Sequence, residues 1–210
     1  VLKQHYGSVP ERSAVILSVT LELLETGDEA RPVAGAQLRQ ALGLSVGELA
    51  TLQQIRDRVL EIRASKGMVL DDADPDTYSA GSFFQNVIVS AAIARTLPAE
   101  CPRWPVHPDV DAVTVIPIED YDGTLPMPSG ASSDVKISAG WLIEHSGLRK
   151  GFRIPRSRAG LSTKHALALT NRGSANAAEI AELARFIQSR VHAEFGIPLQ
   201  PEPVLVGVEL

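Results

Sequence analysis

From Ala177 to Phe195 apolar residues return every three or four positions: Ala177, Ile180, Leu183, Ala184, Ile187, Val191 and Phe195. That spacing predicts a long amphipathic helix with one face committed to a core. Asn176 is placed to cap it, with Glu179 three residues later as in a capping box, and Gly196 supplies a stop. Around it the chain is broken into short pieces. Residues 14–24 are rich in β-branched residues and partly alternating, which predicts a strand with one buried face. Phe83–Val89, Ala112–Ile118, His165–Thr170 and Val204–Val208 read as further short strands. Helices are expected at Gln37–Leu42, Leu52–Ala64, Ser90–Leu97 and Ser138–His145, the last closed by Gly147. Residues 67–80 read as a linker, and residues 98–132 are proline-rich. Without a regular βαβ alternation, these pieces predict an α+β fold: a short mixed or antiparallel sheet packed by helices.

Composition narrows the class. Of 210 residues, 44% are hydrophobic and 21% charged, as in an ordinary globular protein. A net charge of −5 argues against nucleic-acid binding, which needs a basic surface. One cysteine, Cys101, excludes an intrachain disulfide and a multi-cysteine metal site, and suits a reducing cytoplasm. No apolar run approaches the ~18 residues of a membrane span, and no signal peptide opens the chain. The start, Val1-Leu2-Lys3, reads as the middle of a longer sequence.

Several features could carry chemistry, each with a plainer reading. Arg149, Lys150, Arg153, Arg156, Arg158 and Lys164 form a stretch without an acidic residue, either an anion site or a solvated loop. The run Asp71-Asp72-Ala73-Asp74-Pro75-Asp76 lacks the glycine and distal glutamate of a calcium loop and reads as a solvated linker. The five histidines form no i, i+4 pair, so no metal site is expected. Ser82 has no nucleophile elbow around it and alone reads as a turn serine. Lys66, Asn86, His165 and Glu202, read singly, are ordinary solvated or structural groups.

Taken together, four segments resemble one family. Ser79-Ala80-Gly81-Ser82-Phe83-Phe84-Gln85-Asn86 looks like an Ala-Gly-Ser-Phe-Phe-x-Asn signature. It is followed by Lys136–Glu144, by Lys164–Asn171 and by Phe195–Pro203. Their order and spacing resemble UDP-N-acetylenolpyruvoylglucosamine reductase, the flavoenzyme that makes UDP-N-acetylmuramate for peptidoglycan. The resemblance implies that residues 1–66 are the tail of an α+β FAD-binding region and 67–210 a substrate-binding domain. It implies FAD and NADPH as cofactors, UDP-N-acetylglucosamine enolpyruvate as substrate, and a cytoplasmic monomer. Ser82 would donate the proton that completes reduction. Glu202 would lie near the developing charge, protonated or paired with an arginine outside this sequence. Lys66, Asn86 and His165 would bind substrate, the last two at phosphate. Two positions depart from the pattern: Val87 stands where the family usually has proline, and no tyrosine lies near Val33–Leu38 to cover the nucleotide. A UDP-sugar-binding module without redox activity is the alternative, and a domain docking an acidic partner through residues 149–164 is a third reading.

Overall fold

In the computed structural model, residues 17–23, 27, 29–106, 134–205, 207 and 210 are described. The chain divides into two compact units, Val1–Val69 and Leu70–Leu210.

In the first unit a two-residue antiparallel ladder joins β1 (Arg31–Pro32) to β2 (Leu49–Ala50). It accompanies helices α1 (Ala36–Leu42) and α2 (Leu52–Ser65). Helix α2 starts at a capping box, with the Thr51 hydroxyl accepting from the Gln54 N–H and the Gln54 side chain accepting from the Thr51 N–H. The Arg58 Nε donates to the Ala41 carbonyl at 2.6 Å and ties α2 to the end of α1. Of the expected strand over 14–24, residues 17–23 form none, and Leu17, Val19, Leu21 and Leu23 are exposed. A strand needs a partner strand to pair with, and among the described residues none pairs with this stretch; residues 14–16 and 24 lie outside the described residues.

The second unit holds two three-stranded antiparallel sheets, ordered β3-β8-β7 and β4-β6-β5. Its strands are β3 (Ser79–Ser82), β4 (Val87–Ser90), β5 (Arg103–Pro105), β6 (Asp134–Ile137), β7 (Ala159–Leu161) and β8 (Ala168–Asn171). Its helices are α3 (Ala91–Thr96), α4 (Ala139–His145) and α5 (Ala177–Phe195). The unit is a small α+β domain, as expected. Ser90 and Ser138 cap α3 and α4 through their hydroxyls. Pro105 sits on the edge strand of its sheet, where a missing N–H costs no ladder bond.

Helix α5 has the expected bounds and both halves of the capping box. Gly196 ends it in the left-handed conformation, φ 67°. It packs on β7, β8 and α4. Leu183, Ala184, Ile187 and Val191 are fully buried and meet Phe84, Ile137, Leu142, Ile143 and Leu161 in one core. Ala177, placed on the core stripe by periodicity, is exposed. Ala181 takes a buried position instead.

Of the run expected as one strand over Phe83–Val89, only Val87–Val89 is strand, in β4; β3 ends at Ser82, Phe84 makes an isolated bridge to Pro201, and a hydrophobic run cannot show where a chain changes partner. Strand His165–Thr170 begins only at Ala168. The Ser162 hydroxyl accepts the N–H groups of both Lys164 and His165 and holds that stretch in a turn. Val204, Leu205 and Gly207 form no strand; the rest of that expectation, and the strand expected at Ala112–Ile118, lie outside the described residues.

Leu183→Ala should lower the free energy of unfolding by about 2–5 kcal/mol in chemical denaturation. Leu52→Ala on exposed α2 should change it by less than about 0.5 kcal/mol.

Candidate functional site

The segment Ser82–Gln85 runs between two neighbours. On one side β3 pairs with β8, and the Phe83 N–H donates to the Leu167 carbonyl at 2.8 Å. On the other, the Glu202 N–H donates to the Phe83 carbonyl at 2.8 Å and the Gln85 N–H donates to the Gln200 carbonyl at 3.0 Å. Phe84 and Pro201 face each other in this antiparallel bridge. The bonds fall on residues 200 and 202, so the missing N–H of Pro201 is not needed.

Strand β3 contains an extra residue. Ser79 pairs with Thr170 and Ser82 with Ala168, three residues against two. Gly81 lies in this bulge at φ 83°, a conformation that glycine adopts without strain. Ser82 follows it, half-buried, on a groove of about 550 Å³. Tyr78, Ala80, Gly81, Ile180 and Pro203 help to line it. A Cβ built on Gly81 would meet nothing within 4 Å, so the backbone leaves an open face there. The walls are mostly apolar. Among the described residues no basic side chain lines the groove, so a ligand's phosphates would need partners elsewhere.

Backbone bonds link the segment after Ser82 to Glu202 and to Leu167, two residues after His165, while neither Glu202 nor His165 lines the groove. Glu202 is exposed, bonded through its backbone to the residue after Ser82. His165 is half-buried, and its Nδ1 accepts the Leu167 N–H at 3.3 Å. Asn86 serves the fold directly, because its side-chain oxygen accepts the Ala139 N–H at 3.0 Å, at the first residue of α4. Only the NH₂ end of that amide can then serve a ligand. Lys66 is exposed at the end of α2 and belongs to the first unit.

Sequence reasoning missed a polar cluster beside the site. The loop read as a solvated linker contains a 3₁₀ turn, Pro75–Thr77, capped by the Asp74 side chain. Asp76 is 4% exposed. Its carboxylate accepts the Thr163 N–H at 2.9 Å, the Thr163 hydroxyl and the Arg172 guanidinium. Lys164 Nζ meets Asp74 at 2.6 Å, and the Tyr78 hydroxyl donates to Asp72 at 3.1 Å. The linker reading fails because these partners are distant in sequence, Asp76 and Arg172 by 96 positions. The basic stretch is likewise committed locally. Lys150 pairs with Glu144, Arg153 donates to the Ser157 carbonyl, and Arg158 donates to Ser174. It also contains the fully buried strand β7.

A family model described as "UDP-N-acetylenolpyruvoylglucosamine reductase, C-terminal domain" matches residues 74–206. The chain belongs to this family. Curated relatives carry the name UDP-N-acetylenolpyruvoylglucosamine reductase. One from Leifsonia xyli subsp. xyli is 46% identical over 94% of this chain and 55% of its own length. One from Nocardia farcinica is 46% identical over 94% and 47%, and one from Mycobacterium marinum 44% over 100% and 51%. The chain thus spans about half the length of the curated relatives it matches. Both sheets of the second unit come from strands within the matched residues.

Burial pushes the Asp76 carboxyl up, but the Thr163 donors and the Arg172 charge outweigh it and hold it below the ordinary 3.8. The Lys164 hydrogen bond lowers Asp74 in the same way. A folded value below the unfolded one contributes stability above about pH 4, lost as pH falls through the lower folded value. The thermal midpoint should therefore fall between about pH 4 and pH 2. Asp76→Asn should remove part of that dependence and cost about 3–5 kcal/mol at neutral pH, since it leaves the Arg172 charge unpaired.

Proposed function

We propose that the full-length protein reduces UDP-N-acetylglucosamine enolpyruvate to UDP-N-acetylmuramate in peptidoglycan precursor synthesis, with FAD and NADPH as cofactors. In this reading the present chain contributes the substrate-binding half and the proton donor. One observation carries it above the others: Ser82, at the end of a bulged strand, opens on a mostly apolar groove, and the next residue's carbonyl accepts the Glu202 N–H.

The mostly apolar walls of the groove and the open backbone face at Gly81 suit a flat ring such as that of a flavin. When bound, a flavin supplies the hydride that adds to the terminal vinyl carbon of the enolpyruvyl ether. Negative charge then collects on the substrate carboxylate, and the adjacent carbon needs a proton. The Ser82 O–H bond breaks as the new C–H bond forms, and solvent returns a proton to the serine. A hydroxyl is a weak acid in water, but the carbon acid's conjugate base is strong enough to take its proton. Mostly apolar walls around Ser82 slow competing proton delivery from bulk water. His165 and the NH₂ group of Asn86 are donors suited to phosphate.

The test separates the two halves of the reaction. In the full-length enzyme, Ser82→Ala should leave reduction of the flavin by NADPH unchanged in stopped-flow absorbance. Its reoxidation by the enolpyruvyl substrate should slow by ~10²–10⁴-fold. Reoxidation at the wild-type rate would remove Ser82 from the mechanism. A purified full-length protein without a flavin spectrum would remove the redox reading itself.

A further inference from the structure

Strand β3 advances three residues where β8 advances two, and Ser82 is the residue that follows the bulge. Because successive side chains point to opposite faces, a slip of one residue would turn Ser82 away from its present side. Gly81 permits the bulge but does not impose it, since glycine accepts positive and negative φ alike. The register of this strand must therefore be held from outside. We propose that Asp76, locked to Thr163 and Arg172, is the positioning residue that fixes the register of β3 against β8 and so aims the Ser82 hydroxyl. This rests on the reading of Ser82 as proton donor.

The geometry of the lock carries the inference. Asp76 lies three residues before β3. Its carboxylate binds Thr163, five residues before β8, and Arg172, the residue directly after it. One side chain thus spans both ends of β8. The Asn171 N–H adds a bond to the Tyr78 carbonyl at 2.9 Å between the lock and the bulge. Downstream, the two backbone bonds of Phe83 fix the other side of Ser82. Between these anchors the extra residue has to be accommodated, and Gly81 is where it can be. A one-residue slip would pull the carboxylate from its donors and leave the Arg172 charge, 13% exposed, without its partner. The same lock holds the turn that carries His165, since Thr163 is two residues before it and Lys164 is tied to Asp74. A surface ion pair could not do this, because its members move with their own loops.

The experiment uses the full-length holoenzyme and four variants: Asp76→Asn, Arg172→Met, Arg172→Lys and Ser82→Ala. Flavin reduction by NADPH should stay within about twofold of wild type in each, because the lock and Ser82 have a task only in proton delivery to the substrate, the second half-reaction. Reoxidation by substrate should slow by about 10²-fold in Asp76→Asn and Arg172→Met, the scale expected for a displaced reacting group. Arg172→Lys should recover most of that loss, since charge and reach are kept. If Asp76→Asn does not fold, Thr163→Val removes one donor at constant shape and should slow reoxidation alone. Wild-type reoxidation in a folded variant, or equal slowing of both half-reactions, overturns the proposal. The Ser82→Ala control keeps the two claims apart. Slow reoxidation there with normal Asp76→Asn sinks only the register role, while normal reoxidation in Ser82→Ala sinks the donor reading and this inference with it.

Discussion

The peptide of Phe83 is bonded on both sides, its N–H to Leu167 and its carbonyl to the N–H of Glu202. Three segments far apart in sequence meet at this one unit. The signature around Ser82 supplies the middle, the run after Lys164 one flank, and the proline-bracketed Glu202 the other. Without it Ser82, His165 and Glu202 would have no fixed relation. The same crossing is where the chain leaves the β3-β8-β7 sheet and enters β4-β6-β5. Phe84, 1% exposed, fills the core beneath it, so the site and the hydrophobic core share one strand.

Electrostatics then refine what the backbone has joined. In the described residues the one strongly buried ion pair, Asp76–Arg172, lies next to the bulged strand. A buried pair is a weak source of net stability but a strong source of specificity where each partner would be left unpaired by a shift. That suits a place where a glycine-containing bulge leaves the strand free to slide. Glu179 also joins distant segments. Beyond capping α5, it accepts the Arg158 N–H at 2.7 Å and holds the loop before β7 on the helix end. Both bonds draw its carboxyl below the ordinary range.

Much of the fold was legible because its signals are local. Helix α5 shows a period, a cap and a stop within twenty residues, and helices α2, α3 and α4 each begin at a capping side chain. Strands were less legible. The alternation at 17–23 is real, yet those side chains are exposed, since a strand exists only with a partner. Phe83–Val89 looked continuous because hydrophobicity does not mark a change of sheet. Strands β5, β6 and β7 are three or four residues long, too short for a period to show.

For the site, the sequence by itself determined the chemical inventory: a serine after a glycine, an amide at the end of the aromatic pair, a histidine in a basic run, and a glutamate held between prolines. It also determined the family, through motifs in order. Only the tertiary structure decided what each group is free to do. It assigned the Asn86 oxygen to the start of α4 and turned an acidic linker into a lock around Asp76. It placed a bulge before Ser82. The physical reason is the same throughout. Residue identity sets which bonds a side chain can make, but which bonds it does make depends on partners that are distant along the chain and are brought near only by folding.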